Sequence, residues 1–91
     1  MNTELEEKSM SEEKIVIYGA DWCSDCRRAK RFFQEHNIGF QWVNIEMDKN
    51  GEQYVLKLNK GMRSVPTIVF SDGSILVEPS NRQLAEKLGI S

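Results

Sequence analysis

Cys23 and Cys26, the two cysteines of the chain, stand where an apolar run gives way to a helical pattern. The run Ile15-Val16-Ile17-Tyr18 is short, continuous and β-branched, as a central strand covered on both faces should be. After it, Cys26, Ala29 and Phe33 recur at i, i+3 and i+7 with basic residues on the other side, which predicts a helix over about 24–37. Asn37 and Gly39 supply its stop. A C-x-x-C pair at a strand-to-helix junction limits the chain to folds that bring a helix start to the end of a strand. The spacing is that of a redox-active pair.

The rest of the chain continues the alternation. Phe40 to Met47 reads as a second strand with imperfect alternation. Asp48 caps a helix that carries Tyr54, Val55 and Leu58 on one face and ends at Gly61. Thr67 to Phe70, the turn Ser71-Asp72-Gly73 and Ile75 to Val77 form a hairpin. Ser80-Asn81-Arg82-Gln83 fits a capping box ahead of a last helix with Leu84 and Leu88 inward. The order is β-α-β-α-β-β-α, and its first three elements make a right-handed βαβ unit with parallel strands. Residues 1–13 hold five glutamates and no apolar periodicity, so they read as a disordered acidic tail before one domain over residues 14–91.

Composition removes several function classes. Ninety-one residues suit one domain, and 40% apolar residues suffice for one core. A formal charge of −2 argues against nucleic acid as partner. No apolar stretch approaches the roughly 18 residues of a membrane span, and Met1 to Lys14 lacks the basic start and apolar stretch of a secretory signal. The expectation is a cytoplasmic protein, where a lone C-x-x-C is catalytic or metal-binding more often than a structural bridge.

The thiolate is the attacking species in disulfide exchange. Cys23 should lie just ahead of the first helix, facing its unpaired N–H groups and positive dipole end, with its sulfur exposed. Arg27, Arg28, Lys30 and Arg31 add positive potential, while Asp21 and Asp25 oppose it. Cys26, one turn in, should be more buried. Cys23 is thus the expected nucleophile and Cys26 the resolving thiol. Against this stand two chance core cysteines, or half a zinc site, for which only His36 is a further candidate and four ligands are needed; zinc shared between two chains stays open. His36 belongs to the last turn of the first helix, far from Cys23. Phe33, Phe40, Trp42 and Tyr54 read as packing residues. Pro66, taken by itself, reads as an ordinary trans proline at a strand start.

Trp22-Cys23-Ser24-Asp25-Cys26, Asn59-Lys60-Gly61-Met62-Arg63, Ser64-Val65-Pro66-Thr67, Asp72-Gly73 and Pro79-Ser80 together resemble the glutaredoxin family, and most closely its mycoredoxin-type members. The resemblance covers about residues 14–89. It implies a thioredoxin-like fold with a four-stranded mixed sheet flanked by three helices. It also implies a cis Pro66 and a Val65 backbone opposite Cys23, free to pair with an extended thiol ligand. By the same resemblance Trp22 and Arg63 border the thiol groove, and Ser80 and Asn81 offer helix-start N–H groups to a ligand carboxylate. The chain departs from glutathione-binding members at Ala20, where they carry lysine. It departs again at Ser24-Asp25, where they carry Pro-Tyr, and at Glu78-Pro79, where they carry Gly-Gly.

The resemblance implies a thiol–disulfide oxidoreductase, and the chain is expected to be a monomer that holds no metal or bound cofactor. Its expected partners are disulfide-containing proteins and a low-molecular-weight thiol (glutathione, mycothiol or similar) or a thiol reductase. The alternatives are an electron donor to ribonucleotide reductase and an iron–sulfur or metal carrier that uses Cys23.

Overall fold

A computed structural model describes residues 14–90, so the expected acidic tail over 1–13 lies outside the described residues. Four strands, β1 (Val16–Gly19), β2 (Gln41–Asn44), β3 (Thr67–Val69) and β4 (Ile75–Val77), alternate with three helices. The helices are α1 (Ser24–Glu35), α2 (Lys49–Leu58) and α3 (Asn81–Leu88). The strands form one sheet in the order β2-β1-β3-β4. β1 runs parallel to β2, with Ile17 opposite Trp42, and antiparallel to β3, with Ile17 opposite Ile68. β3 and β4 are antiparallel, with Ile68 opposite Leu76. This is the mixed sheet with three helices that the resemblance implies.

Side-chain alternation divides the sheet into two unequal faces. On one, Ile15, Ile17, Ile68 and Phe70 meet Ala29, Phe32 and Phe33 of α1 and Leu84 of α3 in the main core. Full burial of an apolar side chain of this size stabilises by about 1.5–3 kcal/mol, and Ile17, Phe33, Ile68 and Leu84 are all fully withdrawn from solvent. The other face is covered by α2. There Gly51 comes so near β2 that a Cβ would lie 2.7 Å from Val43 Cγ1, and Tyr18 and Tyr54 pack with ring centroids 5.4 Å apart. One helix covers this face only in part. Val16 and Tyr18 therefore stay half-buried, and Tyr54 is exposed rather than inward.

The helix ends follow local chemistry. Asp48 caps α2 by accepting from the Gly51 amide at 2.9 Å. Ser80 and Gln83 close the expected capping box, each side chain accepting from the other's backbone N–H. α1 stops at Glu35, two residues short of the expected 37, and the left-handed residue after it is Asn37 (φ 58°), one of the two expected stop residues. Asparagine tolerates that region, and the turn is closed by the Ile38 amide on the Phe33 carbonyl at 2.9 Å. α2 likewise ends at Leu58, before Gly61, and β2 is shorter than the expected 40–47.

Candidate active site

β1 ends at Gly19, and the chain turns through Ala20, Asp21 and Trp22 into α1. Cys23 is the N-cap residue of α1, in extended conformation (φ −82°, ψ 115°). Its sulfur takes the role that a serine oxygen usually fills: the Cys26 amide donates to Cys23 Sγ at 3.2 Å. Both cysteines are reduced. The helix start thus directs an N–H and its positive dipole end at one sulfur.

The two sulfurs have unequal surroundings. Cys26 is fully buried in a small cluster with Ala20 and Cys23, against which Trp42 and Val65 pack. That burial, followed by the hydrogen bond with Cys23, pushes the Cys26 thiol up to about 12. Cys23 is 7% exposed, so its sulfur is far less open than the sequence suggests. The cause is the loop before β3, which places the Val65 carbonyl 3.8 Å from Cys23 Sγ, within reach of the thiol as donor. The Val65–Pro66 bond is cis, as the resemblance implies and against the trans expectation from the proline alone.

That loop is fastened from below. Thr67 is buried; its hydroxyl donates to the Ser64 carbonyl at 2.7 Å and accepts from Asn59 Nδ2 at 3.1 Å. The end of α2 is thereby tied to the residue before Val65. No residue type at 59 or 67 marks this link in the sequence. Gly19 was missed as well, although an isolated glycine in a strand does signal a close approach. A Cβ there would stand 2.5 Å from Cys26 Sγ and 2.9 Å from the Trp42 ring.

Trp22 and Arg63 meet through carboxylates that the sequence did not point to. Trp22 is 61% exposed, and its indole N–H donates to Glu46 Oε2 at 2.7 Å. Arg63 Nη2 lies 3.7 Å from the same oxygen, and Arg63 Nε donates to Glu52 Oε2 at 2.8 Å. The bond to Glu52 is the main reason that the guanidinium holds its proton even more firmly than usual. Three basic residues of α1 are occupied in a similar way. Arg27 donates to the Asp21 carbonyl, Arg28 pairs with Asp25, and Lys30 lies 3.9 Å from the centre of the Trp42 ring.

Ser80 and Asn81 stand at the start of α3, joined to α1 by Arg28, which donates to Asn81 Oδ1 at 2.9 Å and to the Pro79 carbonyl at 3.2 Å. The Ser80 hydroxyl serves the capping box. Both side chains, and the Ser80 N–H with them, are thus engaged within the protein. Pro79, where glutathione-binding members carry glycine, is buried, and Glu78 before it is left-handed (φ 52°). Ala20 is fully buried beneath the cysteines. His36 caps the far end of α1 against Phe32, away from the cysteines.

Among the described residues no three or more His, Cys, Asp or Glu side chains come together as a metal site, and no helix is long and apolar enough to cross a membrane. A groove of about 620 Å³ lined by Lys14, Ile15, Ile38, Phe40, Ser71 and Leu88 opens at the amino-terminal end of β1. The cysteines follow the opposite end of that strand.

Comparison with known proteins agrees with this geometry. The family model described as glutaredoxin matches residues 15–75. A protein of Mycobacterium tuberculosis that carries the glutaredoxin name is 36% identical over 74 residues, covering 81% of this chain and 88% of that protein. Mycoredoxin 1 of Corynebacterium glutamicum is 29% identical over 76 residues, covering 81% of this chain and 91% of that protein. In fold, the crystal structure of the glutaredoxin from Methanosarcina mazei superposes with a TM-score of 0.71 at 21% identity, covering 87% of this chain and 81% of that one. With its pair of cysteines at the start of α1 and a cis-proline loop across from them, the chain belongs to the glutaredoxin family and is, as that family's members are, a thiol–disulfide oxidoreductase.

Proposed function

We propose that Cys23 is the nucleophile of a dithiol cycle that reduces protein mixed disulfides and protein disulfides. The observation that carries this reading is the inequality of the two sulfurs. Cys23 Sγ accepts from the Cys26 amide at the start of α1, whereas Cys26 is enclosed and its thiol holds its proton to about 12.

The Cys23 thiolate attacks one sulfur of the substrate disulfide. A bond forms between Cys23 and that sulfur, the substrate S–S bond breaks, and the second sulfur leaves as a thiolate that takes up a proton. Cys26 then loses its proton and attacks Cys23, releasing the remaining thiol. The substrate gains two electrons and the enzyme is left with a Cys23–Cys26 disulfide. A low-molecular-weight thiol or a reductase returns two electrons to that bond. For a mixed disulfide, free thiol can instead attack the Cys23 adduct, so that Cys26 is not needed.

Substrate docks along Val65. The main chain there faces Cys23 and has the form of an edge to which an extended peptide adds as a strand. Trp22, Arg63 and Pro66 border that strip, and the start of α3, where the Ser80 N–H is held in the capping box, offers the Asn81 N–H to the other side of the ligand. The protein works as a monomer in the cytoplasm, holds no cofactor, and uses a small thiol as co-substrate.

Turnover of one peptide mixed disulfide by wild type, Cys23→Ser and Cys26→Ser tests the cycle. Cys23→Ser should lose all activity. Cys26→Ser should keep activity on the mixed disulfide and lose it on a protein disulfide. Turnover by Cys23→Ser would overturn the assignment. Running the assay with small thiols and, separately, with thioredoxin reductase distinguishes the small-thiol cycle from a reductase-fed donor.

A further inference from the structure

Arg63 stands two residues before Val65, whose carbonyl lies 3.8 Å from the Cys23 sulfur, and its guanidinium is taken up from two sides. Nε donates to Glu52 at 2.8 Å and Nη2 lies 3.7 Å from Glu46. The same Glu46 oxygen accepts from Trp22 Nε1 at 2.7 Å. One carboxylate therefore links the residue before Cys23 to the loop that carries Val65. With one guanidinium against two carboxylates, this wall of the site carries net negative charge. Glu78 belongs to the chain segment paired with the same loop, its amide donating to the Pro66 carbonyl at 2.8 Å.

Glu46 and Glu52 are tethered, so each faces Arg63 at an effective concentration that a free thiol at millimolar level does not match. An incoming carboxylate finds the Nε donor already used by Glu52 and approaches a guanidinium whose charge two carboxylates offset. A neutral or cationic partner meets neither obstacle. We propose, building on the exchange cycle above, that Glu46 and Glu52 set the selectivity of the site by occupying Arg63. Cys23 then takes thiols and peptide disulfides without a carboxylate near the sulfur in preference to acidic ones. Glu46 and Glu52 are positioning residues in this scheme, acting through Arg63.

The test uses two small disulfides that differ in one charge per half: the symmetric disulfide of N-acetylcysteine and that of its amide. Reduced protein consumes each by the same step. Cys23 and Cys26 give up two electrons and two protons, and two thiols are released per Cys23–Cys26 bond formed. The readout is the ratio of the two second-order rate constants, acid over amide, divided by the same ratio for dithiothreitol, which removes the reagents' intrinsic reactivity. Glu46→Gln/Glu52→Gln keeps an acceptor for the Trp22 indole while freeing Arg63. It should raise the ratio about fivefold, the scale of one exposed ion pair gained. Adding Arg63→Gln should return the ratio to within about twofold of wild type. An unchanged ratio in the double variant, including an equal loss with both reagents, would overturn the proposal. So would a gain that persists without Arg63. Failure of the wild-type protein to react with either disulfide would instead refute the exchange cycle itself.

Discussion

The Cys26 backbone amide points at Cys23 Sγ from 3.2 Å, so the sulfur that begins α1 is also its cap. Structure and chemistry use the same contact. An oxygen accepts such a bond at least as well as sulfur does. Cys23→Ser should therefore unfold within about 1 kcal/mol of wild type while losing all exchange activity. Denaturant titration beside a turnover assay checks this. A Cys23→Ser protein that is inactive only because it is unfolded would show that the residue is structural.

Gly19 lies beneath the Cys26 sulfur. A methyl group there would have to share space with Cys26 Sγ at 2.5 Å and the Trp42 ring at 2.9 Å. Gly19→Ala should cost about 1–3 kcal/mol, the usual scale of core overpacking. It should also slow closure of the Cys23–Cys26 bond in single-turnover experiments, because the atom pushed aside is the one that must attack.

Thr67 holds the Val65 loop by donating to Ser64 at 2.7 Å and accepting from Asn59 at 3.1 Å, with its own side chain buried. Thr67→Val keeps the shape but leaves the Ser64 carbonyl and the Asn59 amide without their partner. A loss of about 1–3 kcal/mol is expected, measured by urea unfolding. Because Ser64 precedes Val65, the Michaelis constant for peptide disulfides should rise more than kcat falls.

Alkaline pH should destabilise the reduced protein selectively. Burial, then the hydrogen bond with Cys23, raises the Cys26 thiol from an ordinary 9.0 to about 12 in the folded state. Between those values the folded chain holds a proton that the unfolded chain has released. Stability is therefore intact below pH 9 and is lost as pH rises toward 12. The oxidised protein and Cys26→Ala have no such thiol and should lack this loss. Unfolding midpoints of the three forms between pH 8 and about 11 measure the difference.

Features set by neighbours in the chain were legible beforehand. The Cys23–Cys26 spacing, the Asp48 cap, the Ser80 and Gln83 box and the Gly73 turn each need only a few residues to specify them. Features set by approach across the fold were not. The Val65 carbonyl reaches Cys23 across 42 residues and closes over it, which is why the sulfur is buried where the pattern suggested exposure. The partners of Arg63 were not legible either, because Glu46 comes from the loop after β2 and Glu52 from α2. Asn37, one of the two residues expected to stop α1, takes the left-handed position, while the helix itself ends at Glu35. Gly19 alone gave a local sign, and only the fold says that Cys26 is what it makes room for.

Reactivity of the two sulfurs in the intact molecule tests the assignment most directly. Reduced, folded protein is treated with a small electrophile such as iodoacetamide at neutral pH, and the modified positions are read by peptide mass spectrometry over time. The account predicts a single early adduct on Cys23, with Cys26 protected until the protein unfolds. Earlier modification of Cys26, or no adduct at either position before unfolding, would contradict it.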